Sequence, residues 1–363
     1  MRKKEEKPRK AYKFRIYPTR EQKILFAKTF GCTRFIYNQM LSDRNEGKGL
    51  KTPANYKLEY EWLKEVDSLA LCNAQINLAQ AFQNHKDNPK HFGKPRFKSR
   101  KNRQSYSTNN QNGSVRIEEG KIKLPKVGYV KIVQHRELEE NSTIKTVTIS
   151  KTPSNEYYVS ILIEYENQVL KIIPKTFVGL DYSMHELYVS SDGERPKYPQ
   201  FYRKAEKKLA RMQRKLSRKV KGSHNREKWR RKLSKQHGHV ANQRLDFLHK
   251  DTFRLVNTYD CICVEDLNMK AMSKALKFGK SVHDNGWGMF VEMLRYKCEW
   301  FGKTFVKIDK FEPTSQKCHC CGYKNVETKD LGVREWHCPK CGAKHDRDIN
   351  AAINIREAGK KLI

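Results

Sequence analysis

The spacing of apolar and polar positions changes character twice along the chain. "AYKFRIYPT" alternates residue by residue, which predicts a strand with one buried face. From about Glu21 to Asp43 the residues Leu25, Phe26, Phe30, Phe35 and Ile36 recur at helical spacing, after a Pro18-Thr19 start signal. "YKLEYEWLKEV" and "LCNAQINLAQAFQNH" continue the helical period and stop at "DNPKHFGKPRFKSRKNRQ", a loop dense in Lys, Arg, Gly and Pro. From Ser105 the period returns to two: "SVRIEEGKIKLP", "GYVKIV", "TIKTVTISKT" and "YYVSILIEYE" predict strands joined by polar turns. Short strands beside the opening one predict a small, partly open barrel built around a helical insertion.

The second change falls near Val169. "TFVGLDYSMHELYVSSDG" predicts a hairpin whose first strand is apolar enough to be central in a sheet. Phe201 to Tyr259 predicts a helical pair broken at "KGSHN", with Leu209, Met212, Leu216, Val220, Leu233, Val240 and Leu248 as its apolar seam. "YDCICVEDL" predicts a buried strand, "GMFVEMLRYKCEWFG" an amphipathic helix and "KTFVKID" a further strand.

Charge narrows the function. The 75 Lys and Arg against 40 Asp and Glu leave a formal charge of +35, an excess that points to a polyanionic partner. No apolar run approaches the ~18 residues that span a bilayer, and "MRKKEEKPRK" has no signal-peptide core, so nucleic acid is expected and a membrane is not. Few acidic residues are available to pair the cations between Arg203 and Arg244, which therefore predict a wall of a nucleic-acid channel. The expected location is the cytoplasm of a prokaryote, close to the nucleoid.

Two sets of residues carry chemistry. Cys318, Cys321, Cys338 and Cys341 form two C-x2-C pairs about sixteen residues apart, the spacing of a zinc ribbon. Gly322 and Gly342 permit the tight turns, and His319 and Cys320 stand close enough to compete as ligands. Four thiolates leave no open position, so this zinc is structural. Cys32, Cys72, Cys261, Cys263 and Cys298 lie among apolar neighbours and are expected to be buried thiols. The second set is acidic. Asp181 ends "TFVGLD", Glu265 ends "CICVED" and Asp348 opens "DINAAINI". Each alone is an ordinary strand end or helix cap. Together, two strand ends and a helix start can gather three carboxylates at one sheet edge, a donor set suited to Mg²⁺ or Mn²⁺.

"VGLDYSMHELYVSSDG", "CVEDL", "EPTSQKCHCCG", "CPKCG" and "HDRDINAAINI", in that order, resemble the RuvC-type half of TnpB, the transposon-encoded RNA-guided nuclease family related to type V CRISPR effectors. "YKFRIYPTREQ" and "GCTRFIYNQML" are similar to that family's N-terminal segment. The resemblance implies a wedge β-barrel from 1–19 and 96–168, a helical recognition insertion at 20–95, and an α/β RNase H-like (RuvC) nuclease domain from 169–310 and 346–363. That nuclease domain would include the basic helical pair 201–259 and carry the inserted four-cysteine zinc ribbon at 311–345.

It further implies that Asp181, Glu265 and Asp348 hold two catalytic Mg²⁺ ions. Asp348 is preferred because it precedes Ile349, Asn350, Ala351 and Ala352, and Asp346 is the alternative. Tyr182 stands where the family has a glycine. The implied partners are a guide RNA from the transposon end and a double-stranded DNA target with a short flanking motif. Asn77, Gln80, Ala81, Phe82, Thr108 and Asn109 occupy the matching positions for reading that motif. Two rivals remain from the sequence: a repressor that binds without cutting, and a DNA-joining transposase.

Overall fold

The computed structural model describes residues 7–49, 51–101, 103–166, 169–269, 271–272, 284–309, 312–330 and 332–363. The chain divides into two compact units, 1–167 and 168–363. The boundaries expected at 168/169 and 310/311 touch residues outside the described set.

The first unit is a seven-stranded antiparallel sheet ordered β2-β6-β7-β1-β5-β4-β3. Its strands are β1 (Arg9–Tyr17), β2 (Gln104–Asn109), β3 (Arg116–Glu118), β4 (Lys121–Leu124), β5 (Gly128–Val133), β6 (Thr143–Lys151) and β7 (Tyr157–Glu164). The sheet curls into a half-barrel with β2 and β3 as its edges, which gives the partly open form expected from the period-two runs. Strand β7 buries Tyr157, Val159, Ile161 and Ile163 in strict alternation, and β1 adds Tyr12, Phe14 and Ile16 to the same core. Helix α1 (Arg20–Asn45) starts in a capping box, in which Thr19 Oγ1 accepts from Gln22 N and Gln22 Oε1 accepts from Thr19 N. Its first turns place Phe26 and Phe30 against the sheet. Its later turns build a second core with α2 (Pro53–Glu59) and α3 (Ser68–Asp87), where Ile36, Leu41, Tyr56, Leu63 and Leu71 are enclosed. One long helix therefore serves two cores.

The second unit has a mixed sheet ordered β11-β10-β8-β9, from β8 (Phe177–Ser183), β9 (Leu187–Ser190), β10 (Cys261–Glu265) and β11 (Thr304–Ile308). Strand β10 runs parallel to both β8 and β11, and β9 returns antiparallel to β8. Helices α4 (Phe201–Ser217) and α5 (His224–Thr258) form the basic pair, and α6 (Trp287–Trp300) and α7 (Arg347–Lys360) complete the layers. Within the pair, Leu209, Leu216, Leu233 and Val240 form the seam; Val220, expected there too, lies beyond the end of α4 and is exposed.

Strand β10 explains how the layers divide. Ile262 and Val264 pack with Leu248, Leu255, Trp287 and Phe290 from α5 and α6, while Cys261 and Cys263 face Ile355 of α7. Helix α7 crosses so tightly that a Cβ on Gly179 of β8 would lie 2.0 Å from the Ala352 carbonyl oxygen. Only glycine allows that approach. A hairpin of β12 (Glu335–His337) and β13 (Lys344–Asp346) leads into α7. No helix among the described residues is long and apolar enough to cross a membrane.

Candidate active site and cysteine cluster

The acidic residues meet because of register. Leu180 of β8 pairs with Val264 of β10, so Asp181 and Glu265 stand one step further on adjacent parallel strands. Leu180 and Val264 point into the core shared with α5 and α6, so the alternation of a strand turns the next residues towards α7. Asp348 follows from the same crossing. Two residues along a strand and one turn back along a helix each cover about 6 Å, so the Gly179–Ala352 contact carries Asp348 opposite Asp181. All three carboxylates line one cavity of about 1110 Å³, together with Arg195, Lys324, Lys329, Arg334 and Arg347.

Burial pushes the Asp181 carboxyl well above the usual carboxylate range, and the charges of Glu265 and Asp348 push it further. The Arg347 guanidinium and the Tyr182 amide oppose this without reversing it. Burial also raises Glu265, against the hydrogen bond donated by the Thr314 hydroxyl. Asp181 and Glu265 are therefore both held towards their neutral forms. The cluster's all-oxygen donors and open cavity fit a hard divalent cation.

Asp346 does a different job from Asp348. Its side chain accepts from the amides of Asp348 and Ile349, both at 3.0 Å, and so caps α7. The cap is thus two residues earlier than a helix opening at Asp348 would have it. Asp346 also receives Arg195 Nη2 at 3.0 and 2.8 Å. Asp348 lies within the helix's first turn, its Oδ2 3.6 Å from Arg195 Nη1 and 3.5 Å from Arg334 Nη1. Arg195, Arg334 and Thr314 carry no periodic or spacing signal in the sequence.

The four cysteines converge from two matching turns. Gly322 N donates to Cys318 O and Cys318 N to Tyr323 O; Gly342 N donates to Cys338 O and Cys338 N to Ala343 O. Gly322 and Gly342 take φ values of 75° and 72°, as the glycine positions predicted. The Cys318–Cys341 and Cys321–Cys338 sulfurs are 3.7 and 3.5 Å apart, and all four lie within 4.8 Å of one another, so the set can hold zinc. The carboxylates do not converge this closely. Of the competing ligands, His319 has its Nδ1 3.0 Å from Asn350 Oδ1, whereas Cys320 groups with Cys318 and His345. His345 Nε2 is 3.0 Å from Cys318 Sγ, a neighbour that lies outside the two C-x2-C pairs. Asn350 and Asn354, on one face of α7, each donate to the Lys317 carbonyl and so tie the first cysteine turn to the helix bearing Asp348.

The positions expected to read bases are scattered. Asn77 is exposed and lines a cavity of about 400 Å³ with Arg34, Lys98 and Ser107. Gln80 is exposed and donates to Asn84. Phe82 leans on the helical core beneath the Arg44 guanidinium, 3.8 Å from its ring centre. Thr108 is fully buried and so does not reach a base edge in this conformation. Adjacent strand residues face opposite ways, and Asn109 takes the other face with Ser105 and Ser107, accepting from Thr146 Oγ1 at 3.1 Å.

Comparison with known proteins adds the lineage. Residues 287–355 match the "Cas12f1-like, TNB domain" family, 160–276 a family described as "Probable transposase", and 9–47 a "Helix-turn-helix domain". The last of these segments is here a strand followed by a single helix. A "Putative RNA-guided DNA endonuclease" of Streptomyces pristinaespiralis is 36% identical over 97% of this chain and 89% of its own length. The "Putative RNA-guided DNA endonuclease InsQ" of Escherichia coli K12 is 31% identical over 97% and 93%. The protein chain in a structure described as "Cryo-EM structure of the Cas12f1-sgRNA-target DNA complex" shares the fold, with a TM-score of 0.61 at 12% identity over 96% of this chain and 99% of that one. With such identity along nearly its whole length, the chain belongs to the TnpB family, the IS605 OrfB lineage related to Cas12f.

Proposed function

We propose that the protein is an RNA-guided DNA endonuclease that hydrolyses phosphodiesters at the cavity lined by Asp181, Glu265 and Asp348. The observation that carries this reading is their convergence from two parallel strands and one helix around an open, cation-rimmed space. Asp181, Glu265 and Asp348 would hold Mg²⁺, which when bound supplies an activated water and charge neutralisation at the leaving oxygen. Thr314 orients Glu265 through its hydroxyl, and the Asp346 cap with Arg195 holds the first turn of α7. Lys324, Lys329 and Arg334 on the cavity wall would take the phosphates of the strand being cut.

Guide pairing would select the target, as the names of the relatives imply, and the first unit would read a flanking duplex motif through Asn77, Gln80 and Asn109. Its half-barrel would be the wedge and its helical core the recognition insertion. The second unit would be the RuvC-like domain, with a structural zinc in the cysteine cluster.

The test is to purify the protein with its bound RNA, sequence that RNA, and offer a duplex carrying the matching target among randomised flanks with Mg²⁺. The expected result is cutting that requires both match and cation, with one enriched flank. Cutting of any duplex without RNA, joining of a free 3′ end, or binding without cutting would each overturn the reading.

A further inference from the structure

Arg195 is the one cation seen bridging three carboxylates at this cavity among the described residues. Its Nη1 donates to Glu186 Oε2 at 3.1 Å, its Nη2 to both Asp346 oxygens, and Nη1 stands 3.6 Å from Asp348. Glu186 belongs to the turn after β8, where its amide donates to Ser183 Oγ. The guanidinium thus joins the turn beyond Asp181 to the residue that caps the helix of Asp348. About a third of each of these side chains is exposed except Asp348, at 22%, and exposed ion pairs of this kind contribute little to stability. What a planar fork contributes is direction: it can hold two carboxylates at set angles, which a lysine cannot.

We propose that Arg195 is a positioning residue for the nuclease site, holding the first turn of α7 against the β8–β9 turn so that Asp348 stays in place opposite Asp181. It also offsets part of the negative charge that Glu186, Asp346 and Asp348 bring to one rim. This rests on the endonuclease reading above, and the wild-type protein serves as the control for it.

The experiment compares wild type, Arg195→Lys, Arg195→Met and Asp346→Asn, each full length with its co-purified RNA. Asp346→Asn keeps a good helix cap but removes the charge that Arg195 grips. Cutting rate is measured against Mg²⁺ concentration, duplex affinity by gel shift, and hydrogen exchange at residues 348–351 without divalent cation. The expected result for Arg195→Lys and Arg195→Met is a rate roughly 10- to 100-fold lower, a higher Mg²⁺ midpoint, faster exchange at 348–351 and unchanged duplex affinity. Asp346→Asn should move in the same direction by less. If wild type cuts and Arg195→Lys matches it in rate, Mg²⁺ midpoint and exchange, the proposal is wrong. Weaker duplex binding with normal exchange would also overturn it, by making Arg195 a phosphate contact. If wild type does not cut, the endonuclease reading fails, while the exchange data still decide whether Arg195 positions α7.

Discussion

The second unit holds two clusters of potential ligand residues, one of cysteines and one of carboxylates, built on opposite plans. The cysteine cluster is local: two matching turns, each with its own glycine and amide hydrogen bonds, bring four sulfurs within 4.8 Å of one another. The carboxylate cluster is topological. Its members come from β8, β10 and α7, they line a cavity of about 1110 Å³, and they stay apart with Asp181 pushed towards its protonated form. A closed soft set stabilises a fold, whereas an open hard set can exchange water and substrate. The two are joined by Asn350 and Asn354, whose side chains sit on the helix of one and hold the turn of the other.

The largest effect that separates them is catalytic. Asp181→Ala or Glu265→Ala should lower cutting of the matched duplex on the order of 10³-fold or more, and the double replacement should be scarcely worse, since the ligands act as one unit. Zinc content should stay at about one per chain. Cys338→Ser should do the reverse first, losing zinc by metal analysis and lowering the melting temperature, with cutting reduced only as the tie to α7 loosens.

Next in size is Gly179→Ala. The added methyl would meet the Ala352 carbonyl at 2.0 Å and must shift α7, so we expect a loss of about 2–3 kcal/mol or more by denaturant melts, with cutting impaired and zinc retained. The smallest effect concerns pH. Because Asp181 binds its proton more tightly when folded, the folded state holds more protons than the unfolded chain above the ordinary carboxylate range, and stability falls as pH rises there. Without added divalent cation, Asp181→Asn should therefore match wild type near pH ~4 and melt higher than it as pH rises towards neutrality. Mg²⁺ should narrow that gap by stabilising wild type.

The contrast between the clusters also explains what could be read before the structure. The cysteine set was legible because its chemistry lies in spacing, and the half-barrel because Val159, Ile161 and Ile163 alternate cleanly. The carboxylates could be nominated as strand and helix ends, but their meeting depends on the register of β8 with β10 and on the glycine crossing, neither of which is written locally. Arg195 lies in an irregular segment and, besides the nearby Glu186, takes its partners Asp346 and Asp348 from a region distant in sequence. Thr108 shows the opposite case: the period-two run predicts the strand, but a one-residue choice of face decides whether a side chain is core or surface.

In the proposed nuclease site Asp348, and not its neighbour Asp346, is the third carboxylate. The decisive experiment compares Asp348→Ala with Asp346→Asn on the guide-matched duplex, following cutting with Mg²⁺ beside gel-shift affinity. Asp348→Ala should bind as wild type but not cut, while Asp346→Asn should retain measurable cutting at a reduced rate. Normal cutting by Asp348→Ala would contradict this assignment.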